Sequence, residues 1–137
     1  MMETLKTLTA LYGPSGNEEE VRAWILKKLQ DRNIDAKTDA LGNIVAKIGG
    51  NGKKLVFSAH MDTVGLMLTE IDKDGYGKFT AIGWLDPATI AHTPVRFENG
   101  TVAAICIQDD KVGKELKAKD LYLDFGTGSK EETEQLV

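Results

Sequence analysis

The sequence predicts a mixed α/β chain in two parts: an α/β piece of about sixty residues followed by an antiparallel β piece of about seventy. Three observations carry this reading. Apolar residues recur at three- and four-residue spacing only as far as Leu29. The period then falls to two. After Asp62, short apolar runs alternate with Gly-, Asp- and Asn-containing turns, and no helical stripe returns until the last few residues.

Leu5, Leu8, Leu11 and Tyr12 predict a short amphipathic helix that Gly13 and Pro14 end. Ser15 followed three residues later by Glu18 is a capping-box signature. Val21, Trp24, Ile25 and Leu29 then form one stripe of a second helix through "EEEVRAWILKKLQDRN". "IDAKT" and "NIVAKI" predict strands around the turn "DALG", with Ile44, Ala46 and Ile48 on one face. "KLVFSAH" is nearly continuous in apolar residues, which predicts a strand buried on both faces, as in the middle of an α/β sheet. Such a strand expects neighbours on both sides, and the first piece offers too few, so part of the sheet is expected to lie outside this chain.

The second piece runs "TVGLMLTEI", the turn "DKDG", "YGKFTAIG", the irregular "WLDPATIAHTP", "VRFE", the hairpin signal "NG", and "TVAAICIQ". "DDKVGKELKAKD" reads as a solvated charged connection. "LYLDFG" is a further strand, and "SKEE" from Ser129 to Glu132 is a capping box that opens a short helix. The spacing predicts a small antiparallel sheet or barrel.

The 137 residues are 42% hydrophobic and 28% charged, with a net charge of −4. This excludes disordered and fibrous classes. There is no basic stripe for nucleic acid, no polybasic segment for an anionic membrane, and no apolar run long enough to span one. The single Cys106, in "TVAAICIQ", suits a buried small hydrophobe in a reducing compartment, which makes cytoplasmic the expectation.

The chemistry centres on His60 and Asp62. Two apart on a strand, they point to the same side, so the Asp62 carboxylate can accept from one ring nitrogen of His60 and aim the other outward. That is the arrangement of a metal-binding histidine, and equally two-thirds of a Ser-His-Asp constellation. Both residues fall at the carboxyl end of the strand, where α/β sheets bind ligands. A lone His-x-Asp is nevertheless more often a structural pair, and one imidazole falls short of the three or more protein ligands of a catalytic metal. His92 reads as a structural loop residue, Asp72 and Asp74 as turn formers, and Asp109 and Asp110 as only faintly like a calcium corner. Glu18, Glu19 and Glu20 are explained by the helix dipole.

Several segments in order resemble metallopeptidase family forty-two, the glutamyl and tetrahedral aminopeptidase group, some members of which carry an endoglucanase or cellulase label. They are "LTALYGPSGNEEEVRAWI", "TDALGNIVAKIGG", "AHMDTVGLML", "IDKDGYGKFTAIGW" and "DLYLDFGTGSKEE". The resemblance covers nearly the whole chain. It implies the N-terminal part of a zinc-peptidase-like α/β domain, residues 1–65, joined to a small antiparallel β-barrel-like dimerisation domain, residues 66–137. It implies a dinuclear aminopeptidase with two divalent ions, zinc or cobalt, a peptide substrate and a homo-oligomeric assembly. His60 matches the first metal-ligand histidine, and Asp62 the aspartate that orients it.

The family's bridging aspartate, glutamate pair, further aspartate and second histidine match nothing in these residues. The segment after Gly100 is also shorter than the family pattern and lacks its Pro-Pro-His. The expectation is therefore the first portion of an aminopeptidase polypeptide, inactive alone and holding no metal stably. The alternatives are a non-catalytic dimerisation or interaction module, and a related zinc carboxypeptidase or deacylase; "GPSG" and "GLML" favour the aminopeptidase group over the latter. A glycosidase ranks last, because no carboxylate pair or aromatic platform demands it.

Overall fold

The leucine spacing at the N-terminus becomes α1 (Met2–Ala10) in a computed structural model that describes residues 1–111 and 115–137. The described residues fall into two units, Met1–Thr63 and Val64–Val137. Among them no helix is long and apolar enough to cross a membrane.

In the first unit α1 ends where Leu11 turns extended. Gly13 follows because nothing larger fits: a Cβ there would lie 2.6 Å from Val21 Cγ2. Helix α2 (Glu19–Gln30) carries the stripe read from the sequence, with Val21 buried and Trp24, Ile25 and Leu29 half-buried. Its end is closed by Asn33 at φ 54°, a left-handed cap that lets Ile34 N–H donate to Leu29 O at 3.0 Å. Strands β1 (Ala36–Thr38) and β2 (Ile44–Ala46) then pair antiparallel.

One expectation is corrected in this unit. "KLVFSAH" forms no ladder: residues 53–62 have no strand partner, and Leu55, Val56 and Phe57 are 78%, 82% and 89% exposed. The physical reason is the one the composition raised, that the described residues hold no neighbouring strand to cover them. The Ile44 face of β2 is likewise covered only at Ile44 itself.

The second unit is a five-stranded antiparallel sheet curled into a half-barrel, in the order β3 (Gly65–Ile71), β4 (Gly77–Ile82), β7 (Leu121–Asp124), β6 (Val102–Ile107), β5 (Pro94–Arg96). Its core is Ala103, Ile105, Leu121 and Leu123, flanked by Leu66, Leu68, Phe79 and the Phe97–Phe125 ring pair. β6 and β7 pair over four residues, whereas β4 meets β7 at one register pair, Gly77 opposite Leu123. Gly77 is demanded there, since a Cβ would come within 2.7 Å of Leu68 and 2.9 Å of Phe125. The "irregular" stretch contains a one-turn helix, α3 (Pro87–Ile90), capped by Asp86. The short helix α4 (Lys130–Glu134) is capped by Ser129, as "SKEE" predicts, and its buried Thr133 donates to Gly75 O at 2.8 Å.

The charged connection is not wholly solvated: Asp120 is buried and its carboxylate accepts from Lys117 N–H at 2.9 Å. Residues 112–114 of that segment lie outside the described residues.

Three hairpin turns follow one plan. Asp39, Asp72 and Phe97 each donate a backbone N–H four residues on, to Asn43, Tyr76 and Thr101, and each accepts from a glycine three residues on, with Gly42, Gly75 and Gly100 at φ 87°, 89° and 91°. "NG" therefore sits inside a three-residue loop, rather than forming a two-residue turn. Asp39 adds a carboxylate to its turn, accepting from Leu41 N–H and Asn43 N–H at 2.9 Å and from Asn43 Nδ2 at 2.9 Å. These bonds, led by the Asn43 side chain, hold the Asp39 carboxyl below the usual aspartate range. A depressed folded-state value means that this contribution is complete above the ordinary aspartate range and is lost as pH falls through the lower value. Amide exchange at Leu41 and Asn43 is therefore expected to accelerate selectively on acidification below that range. Asp39→Ala should show the faster exchange already at neutral pH.

Candidate functional site

The "GPSG" turn and the chain around Asp62 are stitched together. Gly13 O accepts from Thr63 N–H at 2.7 Å and from Thr63 Oγ1 at 3.1 Å, and Pro14 bridges Thr63 in parallel register. On its other side the turn is held by helix α2's acidic start: Glu20 accepts from Tyr12 N–H at 2.9 Å and Glu18 from Gly16 N–H at 2.7 Å. Glu19 pairs with Arg22, whose Nε donates to Gly42 O at 2.9 Å. These glutamates thus do more than answer the helix dipole.

Asp62 joins two side chains. Its Oδ2 accepts from Ser15 Oγ at 2.5 Å, and its Oδ1 lies 3.1 Å from His60 Nδ1. The main-chain carbonyl of Asp62 lies 2.9 Å from the same nitrogen. Both groups that face Nδ1 are acceptors, so Nδ1 carries the proton and the lone pair of the neutral ring is on Nε2. The His60 side chain is 86% exposed, which leaves that lone pair open to a ligand. The Ser15 hydroxyl, chiefly, holds the Asp62 carboxyl below the usual aspartate range; His60 acts in the same direction and desolvation opposes both. Asp62 is therefore an anion at neutral pH.

This corrects the capping-box reading. The turn sealed by Asn17 N–H to Pro14 O delays the helix to Glu19, with Glu18 as its N-cap and no side chain capping it, so Ser15 lies outside it. The Ser15 hydroxyl donates to the Asp62 carboxylate, whereas the serine of a Ser-His-Asp constellation donates to the imidazole. Ser15 is the residue that sequence reasoning missed; its partner is 47 positions away and no local spacing announces it.

The other candidates remain apart. His92, exposed and at φ 63°, closes the turn after α3 by donating its N–H to Ile105 O. Asp72 accepts from the N–H groups of Asp74 and Tyr76, as a turn former does. Asp109 and Asp110 lie in a one-turn 3₁₀ helix, Asp110 beside Lys111 at 3.2 Å. Cys106 is half-buried on β6 opposite Tyr122, whose hydroxyl is pushed up chiefly by burial. Among the described residues no three His, Cys, Asp or Glu groups converge to hold a metal ion. A braced imidazole with an open Nε2 fits one position of a metal site, and a catalytic zinc takes three protein ligands.

A helix-turn-helix and hairpin unit followed by a curled antiparallel β unit defines the class: it is the N-terminal part of a tetrahedral-aminopeptidase fold. The chain belongs to the M42 glutamyl aminopeptidase family, which matches residues 42–137. It is 32% identical to the lysyl aminopeptidase of Pyrococcus furiosus, across 98% of this chain and 42% of that protein. It resembles the TET1 peptidase of Pyrococcus horikoshii, described as assembling into a tetrahedron or a large octahedral shell, with a TM-score of 0.86, 32% identity, and coverage of 99% and 43%. A Thermotoga maritima protein named endoglucanase is also similar, with a TM-score of 0.81, 34% identity, and coverage of 97% and 41%. The chain thus spans less than half the length of the relatives it matches.

Proposed function

We propose that these residues form the first part of a metal-dependent aminopeptidase, in which His60 is a metal ligand through Nε2 and Asp62 orients it. The observation that carries the reading is the geometry at Nδ1: two acceptor oxygens at 2.9 and 3.1 Å favour the proton there and leave the lone pair on Nε2 of an exposed ring. Two divalent ions, zinc or cobalt, would polarise the scissile carbonyl and activate water. What this chain itself does is narrower. Asp62 keeps its negative charge against the ring, Ser15 and Asp62 together limit the ring's rotation, and the Gly13 to Thr63 contacts fix the backbone that carries both.

Residues 1–65 belong, in this proposal, to the catalytic domain and residues 66–137 to an inserted β domain that mediates homo-oligomer formation. The described residues divide after Thr63, two positions before the proposed boundary, which supports that reading. Soluble cytoplasmic residence is consistent with the single half-buried cysteine. The substrate is a peptide with a free N-terminus. Its side-chain preference is left open, since the matched family is described as glutamyl and a relative as lysyl.

One braced imidazole falls short of a catalytic set, so the 137 residues alone are expected to hydrolyse nothing. Purified chain incubated with cobalt or zinc should release no product from glutamyl- or lysyl-anilides. Hydrolysis that His60→Ala abolishes would overturn the inactivity. In a polypeptide that supplies the remaining ligands, cleavage of a free peptide but not its N-acetylated form is the expected result, and the reverse would refute aminopeptidase action.

A further inference from the structure

The family reading gives roles to His60 and Asp62 and leaves the "GPSG" turn without one. We infer that Ser15 is a positioning residue: its hydroxyl holds the Asp62 carboxylate in the one orientation that presents Oδ1 to His60 Nδ1. The inference rests on the proposed ligand role of His60 only for its functional consequence, since the geometry is independent of it.

A carboxylate two residues from an imidazole on extended backbone has free rotation about χ1 and χ2, and ordering it costs entropy. Asp62 is 38% exposed, so packing does not restrict it strongly. Ser15 does: one carboxylate oxygen accepts from its hydroxyl at 2.5 Å, and the other oxygen is then directed to the ring at 3.1 Å. The serine is itself anchored. Its turn is tied to Thr63 by two hydrogen bonds from Thr63 to Gly13 O, and to α2 through Glu18 and Glu20. The donor and the carboxylate are therefore fixed to one another through backbone on both sides, and a surface hydroxyl meeting a carboxylate by chance would not have that. Gly13 completes the device, because any side chain there would strike Val21 and lift the turn from the helix. The brace thus runs from Ser15 through Asp62 to His60, one hydrogen bond further than the sequence showed.

The test is made on the metal-free chain by NMR, with His92 as the internal reference. In the unsubstituted chain Asp62 is expected in one χ1 rotamer, with a His60 Nδ1–H proton protected from solvent exchange. Ser15→Ala and Ser15→Val should average the Asp62 rotamer and speed that exchange several-fold, while the second unit's amide signals stay in place. Ser15→Thr keeps a hydroxyl in nearly the shape of valine and should restore both readings. A fixed rotamer and unchanged exchange in the alanine and valine chains would overturn the inference. So would loss of the first unit's fold in Ser15→Val but not in Ser15→Thr, which would make the hydroxyl a stability element instead.

A second arm separates this from the ligand role. In a polypeptide that supplies the remaining ligands, added zinc should shift the Nε2 resonance of His60, and its apparent affinity should fall about tenfold in Ser15→Ala, the lower end of what loss of an outer partner costs. If zinc leaves His60 Nε2 unmoved in that polypeptide, the ligand reading fails while the rotamer and exchange results still decide the role of Ser15.

Discussion

Leu123→Ala is expected to remove about 3–5 kcal/mol from the second unit. Leu123 is fully buried and lies in the middle strand β7, opposite Ile105 on one side and Gly77 on the other. Gly77 has no side chain with which to refill the space, and Leu121 and Ala103 are already in contact with the same core. The site therefore collapses poorly, and the residual cavity adds to the lost transfer energy. Domains of this size have only about 5–15 kcal/mol in total, so the substituted unit should be close to its limit near body temperature. Urea titration followed by circular dichroism would show the midpoint fall with little change in slope. Ile105→Val in the same core should cost about 1 kcal/mol. A Leu123→Ala chain that unfolds with the midpoint of Ile105→Val would mean that the sheet rearranges around the gap.

The second large effect concerns the metal position. In a polypeptide that supplies the remaining ligands, Asp62→Ala is expected to weaken zinc or cobalt binding by about 10–100-fold. The substitution removes the charge that faces Nδ1 and leaves the residue's own carbonyl, still 2.9 Å from that nitrogen. The tautomer should thus survive in part, and the loss should fall short of that of His60→Ala, which removes the ligand itself. Asp62→Asn keeps an acceptor oxygen and should lie between the unsubstituted protein and Asp62→Ala. Chelator competition gives the order directly. Equal affinity in Asp62→Ala and the unsubstituted protein would dismiss Asp62 as an orienting group.

Helices, hairpins and the small β unit were legible because each is dictated by near neighbours: a 3.6-residue stripe, a period of two, or a glycine three positions into a turn. The stripe through Val21 and Leu29 and the cap at Ser129 show this. What could not be read depended on distant partners. "KLVFSAH" has the composition of a central strand, but composition does not supply the neighbours, and the segment stands exposed. Ser15 has the spacing of a helix cap, yet the helix starts later with Glu18 as its N-cap, and the serine hydroxyl instead donates to Asp62, 47 positions away. The pairing of His60 with Asp62 was legible from their separation by two, while the second acceptor, the carbonyl of Asp62, was not.

The seam at Gly77 and Leu123 has a kinetic meaning. The β3–β4 hairpin and the β5–β6 hairpin close over a few residues, which takes microseconds. Joining the first of them to β7 brings together residues 77 and 123, a much longer loop closed through one register pair. It is the longest loop among the sheet's pairings, so this docking is expected late, after both hairpins exist. A strand that arrives last must find a flat, unobstructed landing, and a glycine at the point of arrival leaves no side chain to be cleared from the path.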